Sequence, residues 1–330
     1  MQTENIELTY GEAILSAFEY LLLNHEEVFV IGQGLWSPWY VGSSMTDLDK
    51  KFGIERVIDT PVSESACTGA AVGAALAGMR PIVVHPRMDF MLYAMDAIVN
   101  EAAKWRHMTG GQASVPVTVR AIVNRGGEQG AQHSQALHSW FAHVPGLRVV
   151  MPSSVSDARD LLISSVLCND PVLFIDDRWL YDQTDFLSKG ELTPLNKIQP
   201  KCLKEGADVT IVGVGYGTKC SLDASIELAK KGISAEVIDL RVLNPLNLKL
   251  VIESVSKTRR VVVVDPGWKP CSVSSEVLAS LVENMDLSCL KNNPVRISLP
   301  GSPAPTSARL EEDYYFDYSD VVDAVMDFFR

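Results

Sequence analysis

The sequence has no excess of basic residues. Its 330 residues include 29 Lys and Arg against 41 Asp and Glu, which gives a formal net charge of −12. This balance argues against broad binding to nucleic acid or anionic membranes, because both need a basic face. The chain also lacks a run of about 18 apolar residues and a basic start followed by an apolar stretch. We therefore expect no membrane span, no secretory signal and a cytoplasmic location.

Paired cysteines and phosphate-binding glycine motifs are absent as well. The six cysteines include no CxxC pair, which favours free thiols in a reducing compartment over disulfides or zinc, and we expect no metal site on this chain. No GxxxxGK(S/T) motif occurs, and no GxGxxG motif opens a helix after a strand. Gly213, Gly215 and Gly217 follow a strand without the third-glycine spacing of a dinucleotide site. An NAD-binding dehydrogenase is therefore a poor hypothesis.

Strand and helix patterns alternate along most of the chain, which is 47% hydrophobic. Such alternation is typical of parallel sheets covered by helices on both faces. The pattern lapses in a polar stretch that contains Pro194 and Pro200, and we expect two α/β domains, 1–185 and 206–330, joined by a linker at 186–205. The predicted helices cover 9–24, 65–77, 91–108, 155–167, 221–231, 247–256 and 274–284, with another beginning at 133 and a short amphipathic helix at the end of the tail. The predicted strands cover 28–31, 56–59, 82–84, 115–123, 147–151, 172–175, 209–214, 234–240 and 260–265.

One acidic residue stands at the start of an otherwise apolar segment, Arg56 to Pro81, which reads RVIDTPVSESACTGAAVGAALAGMRP. A short β-branched strand is followed by Pro61, and Ser63 is placed to cap the next helix. That helix is mostly Ala, Gly and Val, so we expect it to pack closely in the interior. Glu64 is either a capping acid attracted to the positive end of the helix or a proton-transfer group in a dry cleft.

Three polar residues follow predicted strands of the first domain: Gln33, Glu64 and His133. In open parallel sheets, ligands bind beyond the carboxyl ends of the strands, so these positions indicate a candidate site. Each also has a structural interpretation, such as a loop residue for Gln33 or a helix cap for His133. The loop at 33–44 carries aromatic residues that could form a ligand wall or a subunit contact: Trp36, Trp39 and Tyr40.

Six segments, in chain order, resemble the beta subunit of the thiamine-dependent 2-oxoacid dehydrogenase decarboxylating component, the group that acts on pyruvate, branched-chain 2-oxoacids and acetoin. The segments are RVIDTPVSE, TGAAVGAALAGMRP, NEAAKWRHMTGG, AQHSQALHSWFAHVPGLRVVMPSS, ISAEVIDLRVLNPL and VVVVDPGW. The similarity runs from near Thr9 to the tail. Several long ordered segments make it far more specific than any single motif.

The resemblance implies a transketolase-like α/β fold with two doubly wound domains and mainly parallel sheets. The first would be a pyrimidine-binding domain for thiamine diphosphate, and the second a C-terminal domain used mainly for assembly. Such beta subunits form α2β2 heterotetramers in which the alpha subunit holds the diphosphate through Mg²⁺. This agrees with the sequence, which lacks the Gly-Asp-Gly and downstream Asn of the usual thiamine diphosphate signature.

The resemblance also implies roles for individual residues. Glu64 matches the family acid that hydrogen-bonds ring nitrogen N1′ of the cofactor and favours its reactive tautomer. Phe90 matches the aromatic residue that packs on the aminopyrimidine. His133, in AQHSQ, matches the histidine that faces the substrate and the acyl acceptor as a donor or proton shuttle.

The sequence departs from the family pattern near these residues. We assign Gln33 to cofactor binding. It replaces a family acid that is thought to relay protons between two active sites, and this replacement puts the communication between the sites in doubt. His85 and Arg87 stand where the family has other residues, and we assign both to the substrate pocket. Arg87 would suit a carboxylate, phosphate or sugar-like group, or would form an outward salt bridge. Ala66 and Cys67 replace a frequent Gly-Phe and indicate an altered pocket shape.

The leading hypothesis is the beta subunit of a two-chain thiamine diphosphate enzyme. It would decarboxylate a 2-oxoacid and transfer the acyl or hydroxyalkyl carbanion, in the usual family case to the lipoyl group of a partner acyltransferase. The alternative is a lipoyl-independent carboligase or transketolase-like enzyme that acts on an aldehyde, ketone or sugar-like acceptor. A third hypothesis is a non-catalytic assembly subunit, which the presence of Glu64, Phe90 and His133 opposes.

Overall fold

The computed structural model describes residues 6–187 and 192–330. The strands are β1 Ile6–Thr9, β2 Val28–Gln33, β3 Val57–Thr60, β4 Arg80–His85, β5 Thr118–Val123, β6 Arg148–Val150, β7 Val172–Asp177, β8 Thr184–Leu187, β9 Lys201–Lys204, β10 Val209–Gly213, β11 Ala235–Asp239, β12 Val242–Asn244, β13 Val261–Trp268 and β14 Val295–Leu299.

The α-helices are α1 Tyr10–Asn24, α2 Pro38–Val41, α3 Leu48–Phe52, α4 Glu64–Leu76, α5 Ala103–Met108, α6 His138–Ala142, α7 Val155–Val166, α8 Tyr216–Lys230, α9 Lys249–Thr258, α10 Val273–Asn284, α11 Ala308–Tyr314 and α12 Tyr318–Met326. No helix in these described ranges is long and apolar enough to cross a membrane.

The chain forms two compact units. The first comprises Met1–Asn124 and Trp140–Ile198, and the second comprises Arg125–Ser139 and Gln199–Arg330. The segment that carries His133 therefore belongs to the second unit by its contacts. The predicted linker at 186–205 lies partly outside the described residues, and its described part contains β9 and the end of β8.

The first unit is built on a sheet in which β6, β7, β5, β4, β2 and β3 lie in that order, and every one of these pairings is parallel. Strands β5 and β7 are buried along their whole length, as expected for a sheet covered on both faces. Helix α1 begins at a capping box formed by Thr9 and Glu12. The parallel architecture predicted from the sequence is confirmed.

A buried ion pair joins two neighbouring strands of this sheet. Arg120 on β5 donates to both carboxylate oxygens of Asp176 on β7, at 3.0 and 2.8 Å, and both side chains are fully buried. Arg120 also donates to Ser44 and Tyr181, at 2.8 Å each. Burial by itself would lower the pKa of Arg120, but the adjacent Asp176 raises it above the ordinary value. The network fixes the loop after α2 to the sheet.

The second unit contains a five-stranded sheet in the order β14, β13, β10, β11 and β9. The pairings are parallel except for β9, which runs antiparallel to β11. Helix α8 begins at Tyr216, five residues before the predicted start. Strand β10 ends at Gly213, and Gly215 is the N-cap residue of the helix. Strands β9, β12 and β14 and helix α11 were not predicted.

Two local helix predictions are wrong. The helix predicted to begin at His133 begins at His138, and the preceding segment is a turn. The predicted single helix at 91–108 consists of a 3₁₀ segment at Phe90–Ala94, a π-helical segment at Asp96–Ala102 and α5. Apolar spacing does not distinguish these helical types, since all of them bury one side of the segment.

Helix α4 also differs from its prediction. Ser63 occupies the N-cap position but its side chain makes no capping hydrogen bond. One side of the helix is buried, including Thr68 and Ala71, whereas the positions around Gly69 and Gly73 are exposed. A Cβ atom built at either glycine would meet no atom within 4 Å. The helix is therefore buried on one side and open on the other within this chain.

Candidate active site

The carboxyl ends of β2 and β3 bring Gln33 and Glu64 to the same edge of the first sheet. The two strands run parallel, and Gln33 lies opposite Thr60, the last residue of β3. Glu64 follows four residues later as the first residue of α4. Asp59 holds the loop after β2, since its Oδ1 accepts the N–H groups of Gly34 at 2.6 Å and Leu35 at 3.3 Å.

The Glu64 carboxylate is partly buried, and it makes no hydrogen bond or ion pair with any residue in 6–187 or 192–330. It therefore does not act as a hydrogen-bonding cap for α4. It stands at the helix N-terminus, where the unpaired N–H groups carry partial positive charge. The carboxylate is available to a ligand.

Gln33 adds a second unsatisfied group. Its Oε1 atom is buried and has no hydrogen-bond partner within the described chain. A buried acceptor without a partner is costly unless a ligand or water donates to it. Gln33 and Glu64 thus supply two oxygen acceptors at one end of the sheet.

His85 is the last residue of β4 and is only 2% exposed. Its Nε2 lies 3.1 Å from Oγ1 of Thr68, which stands one helical turn after Glu64 on α4. Burial lowers the pKa of His85 to about 4, so the imidazole is neutral at pH 7. Although the sequence assigned His85 to the substrate pocket, the structure buries it beneath the start of α4.

Arg87 and Phe90 follow β4 on the same edge, and both are partly buried. Phe90 is the first residue of its 3₁₀ segment. Burial and the positive charge of Arg178 lower the pKa of Arg87, whereas Asp89 and Tyr40 raise it. Arg178 was not found from the sequence, because its proximity to Arg87 depends on strand order rather than on spacing.

The loop aromatics are well exposed in this chain. Trp39 is 87% exposed and Tyr40 is 49% exposed. Trp36 is fixed at one end, since its Nε1 donates to the carbonyl of Val57 at 3.0 Å. The exposure agrees with the subunit-contact and ligand-wall interpretations alike.

His133 lies in the second unit, on a bend before α6, and is partly buried. Two contacts within that unit hold its segment. His138 Nε2 lies 2.8 Å from Oδ1 of Asp265, with both side chains fully buried, and Ser139 accepts the N–H of Val273 at 3.1 Å. Burial alone would raise the pKa of Asp265, but the nearby His138 and two backbone N–H groups lower it. This pair was not predicted from the sequence.

No group of three or more His, Cys, Asp or Glu side chains in the described ranges is arranged to hold a metal ion. All six cysteines are free thiols, as predicted. Cys67, next to the departure at Ala66, donates its S–H to Thr60 Oγ1 at 3.2 Å. Cys67 lies about one helical turn from Glu64 in α4, and its hydrogen bond holds it against the end of β3.

Comparison with known proteins defines the class. The family model described as the transketolase pyrimidine-binding domain matches residues 6–183, and the transketolase C-terminal domain matches residues 199–321. A solved structure described as a split gene transketolase, inactive beta4 tetramer, covers 97% of this chain and 97% of its own, with a TM-score of 0.75 and 23% identity. The predicted transketolase-like fold is confirmed.

Two relatives identify the family within this class. The pyruvate dehydrogenase E1 component subunit beta of Rhizobium meliloti is 36% identical over 98% of this chain and 70% of its own length. The acetoin:2,6-dichlorophenolindophenol oxidoreductase subunit beta of Cupriavidus necator is 42% identical over 79% of this chain and 76% of its own. The chain belongs to the family of 2-oxoacid dehydrogenase E1 beta subunits, which confirms the resemblance found in the sequence.

Proposed function

We propose that this chain is the beta subunit of a two-chain thiamine diphosphate enzyme that decarboxylates a 2-oxoacid and transfers the resulting acyl or hydroxyalkyl group. Residues 1–185 form its pyrimidine-binding domain, and residues 206–330 form its C-terminal domain. The partner is an alpha subunit in an α2β2 heterotetramer, and that subunit holds most of the Mg²⁺ coordination. Six free thiols support a cytoplasmic location.

The position of Glu64 is the observation that carries the proposal. A partly buried carboxylate without a partner in the described chain stands at the carboxyl edge of a parallel sheet, where ligands of such folds bind. The buried Oε1 of Gln33 and the ring of Phe90 lie at the ends of adjacent strands. Two acceptors and an aromatic ring fit the aminopyrimidine of thiamine diphosphate, which carries ring nitrogens, an amino group and a flat face.

Thiamine diphosphate, when bound, supplies the carbon nucleophile and the electron sink for decarboxylation. With the cofactor bound, Glu64 would share a proton with a nitrogen of the aminopyrimidine, as a general acid–base. Gln33 would accept a hydrogen bond from the cofactor, and Phe90 would pack on the aminopyrimidine and exclude water. His133 donates or shuttles a proton on the substrate side.

The molecule that receives the transferred group belongs to one of two chemical classes. The family precedent favours the lipoyl group of a partner acyltransferase. Arg87 and the other departures favour a carboligase or transketolase-like reaction with an aldehyde, ketone or sugar-like acceptor. Acyl transfer to a lipoyl domain, measured against carbon–carbon bond formation from the same donor, distinguishes the two.

Substitution Glu64→Gln in the reconstituted complex tests the proposal. The amide keeps the size of the side chain but cannot share a proton with the ring nitrogen, so the decarboxylation rate should fall by about 10²-fold or more. Release of CO₂ from a panel of 2-oxoacids measures the effect. Glu55→Gln is the control, because Glu55 is an exposed acid on the same unit and its loss should leave the rate unchanged. Equal rates for both variants would instead support the non-catalytic assembly subunit.

A further inference from the structure

Two arginines lie beyond the carboxyl ends of two strands that flank β5, outside the residues that we assign to the cofactor. Arg178 follows β7 directly, and Arg87 stands two residues after β4. Strand β5 lies between these strands and ends next to Asn124. All of these residues belong to the first unit.

Asn124 connects the two arginine positions. Its Nδ2 donates to the carbonyl of Pro86, the residue before Arg87, at 3.0 Å. Its Oδ1 accepts from Nη1 of Arg178 at 3.2 Å. Because Asn124 is only 4% exposed, it fixes both neighbours from the interior.

The partners of Arg178 within the described ranges are neutral. Nη1 reaches the carbonyl of Trp39 at 3.5 Å in addition to Asn124, and the guanidinium stands 5.7 Å from the centre of the Tyr181 ring. No ion pair joins it to an acid in those ranges. Gly42 leaves room for the guanidinium, since a Cβ there would lie 2.9 Å from Nη2. Residues 6–187 and 192–330 therefore build a place for this cation without supplying its countercharge.

Arg87 interacts electrostatically with that cation, and the same Asn124 holds the backbone just before it. Burial lowers the pKa of Arg87, and the positive charge of Arg178 lowers it further, whereas Asp89 and Tyr40 act in the opposite direction. Like charges held together in a partly buried place repel each other unless an anion lies between them.

We infer that Arg87 and Arg178 bind a second anionic group on the substrate, a carboxylate or a phosphate remote from the 2-oxoacid carboxylate. The inference rests on the proposed function. Guanidinium groups are well suited to this task, because their planar donors match carboxylate and phosphate oxygens in pairs. The remote group is preferred over the reacting carboxylate, since a clamp on a charge that leaves during the reaction would stabilise the ground state rather than the transition state.

Matched substrate pairs test the inference in the reconstituted complex. 2-Oxoglutarate is compared with 2-oxoglutaramate, and 3-phosphohydroxypyruvate is compared with hydroxypyruvate. The second member of each pair is called neutral because its remote group carries no charge, although it keeps the reacting carboxylate. We expect one anionic member to exceed its neutral counterpart about 10-fold or more in kcat/KM. The first pair identifies a carboxylate as the bound group, and the second pair identifies a phosphate.

Variants then connect the preference to the two arginines. Arg178→Gln and Arg87→Gln should each lower kcat/KM for the anionic substrate by about 10- to 100-fold, mainly through KM, and should change the neutral substrate by less than about 3-fold. Arg178→Lys should recover only part of the loss, because an ammonium lacks the paired donors. Arg106→Gln is the control, since Arg106 is an exposed arginine that pairs with Asp170 on the same unit.

Several results would overturn the inference. One is faster turnover of the neutral substrates than of both anionic ones. Another is an equal loss for both members of a pair in the arginine variants, which would place the reacting carboxylate between the arginines. A loss of thiamine diphosphate affinity in Arg178→Gln would assign the arginines to the cofactor instead. The neutral substrates keep the two proposals distinct: turnover of them alone removes this inference and leaves the proposed function, whereas no turnover of any 2-oxoacid removes both.

Discussion

At the residue scale, the availability of each polar group of the site to a ligand depends on the side chains that surround it. Glu64 and the Oε1 atom of Gln33 lack partners within the described chain, while His85 is buried against Thr68. The first two are available to a ligand. His85 instead contacts Thr68 in α4 as a buried, neutral side chain.

The buried His85 makes stability depend on pH. Its pKa is about 4 in the folded protein against the ordinary 6.5, so the unfolded chain binds more protons between these values. Stability is therefore unaffected by His85 above pH 6.5 and is lost as pH falls toward 4. We expect His85 to account for a loss of about 2 kcal/mol between pH 7 and pH 5.

Urea unfolding of the wild type and of His85→Asn at both pH values measures this contribution. Carboxylates titrate in both proteins, so the difference between the two pH dependences isolates His85. A variant that loses as much stability as the wild type between pH 7 and pH 5 would show that His85 is protonated in the folded protein.

Sequence and resemblance identified Glu64, Phe90, His133, Gln33 and Arg87 as candidates, because each stands in a quoted segment or at a predicted strand end. Asp59, Thr68, Asn124 and Arg178 were missed. Their partners are 17 to 54 residues distant along the chain, and only the order of the strands brings them together. An Asp at the end of an apolar strand, as in VIDT, is the one local signal that could have indicated Asp59.

At the element scale, periodicity predicted the parallel strands and most helices of both units, because buried strands and amphipathic helices have clear apolar patterns. The segment before α6 was mispredicted for a backbone reason. Gly126, Gly127, Glu128 and Gly130 all adopt positive φ, so the chain turns repeatedly and the helix starts only at His138. Glu128 held at φ 61° is unexpected for a residue with a side chain, and its N–H donates to the carboxylate of Glu311 at 3.1 Å.

The buried pair between β5 and β7 gives a prediction at this scale. Asp176→Ala leaves the Arg120 guanidinium fully buried without its carboxylate, so we expect a loss of about 3–5 kcal/mol in the free energy of unfolding. Glu19→Ala removes the exposed partner of Lys51 and should cost less than about 1 kcal/mol. Thermal and urea unfolding of both variants measure the contrast, and equal losses would show that the buried pair is not needed to hold the two strands together.

At the scale of the whole molecule, alternation of strands and helices was enough to predict two α/β domains, and the resemblance was enough to name the family. The assignment of Arg125–Ser139 to the second unit was beyond the sequence, since it depends on contacts more than 100 residues distant, such as His138 with Asp265. The available acceptors account for the aminopyrimidine half of thiamine diphosphate. The diphosphate half requires the second chain that the proposal includes.

Calorimetric titration of thiamine diphosphate with Mg²⁺ tests this division most directly. The cofactor is titrated into the isolated chain and into the chain co-expressed with the candidate alpha subunit encoded beside its gene. The account predicts strong binding only in the complex, with binding by the isolated chain weaker by at least about 100-fold, because one half of the cofactor then lacks its partners. Equally tight binding to the isolated chain would contradict the account and would require a diphosphate site within these 330 residues.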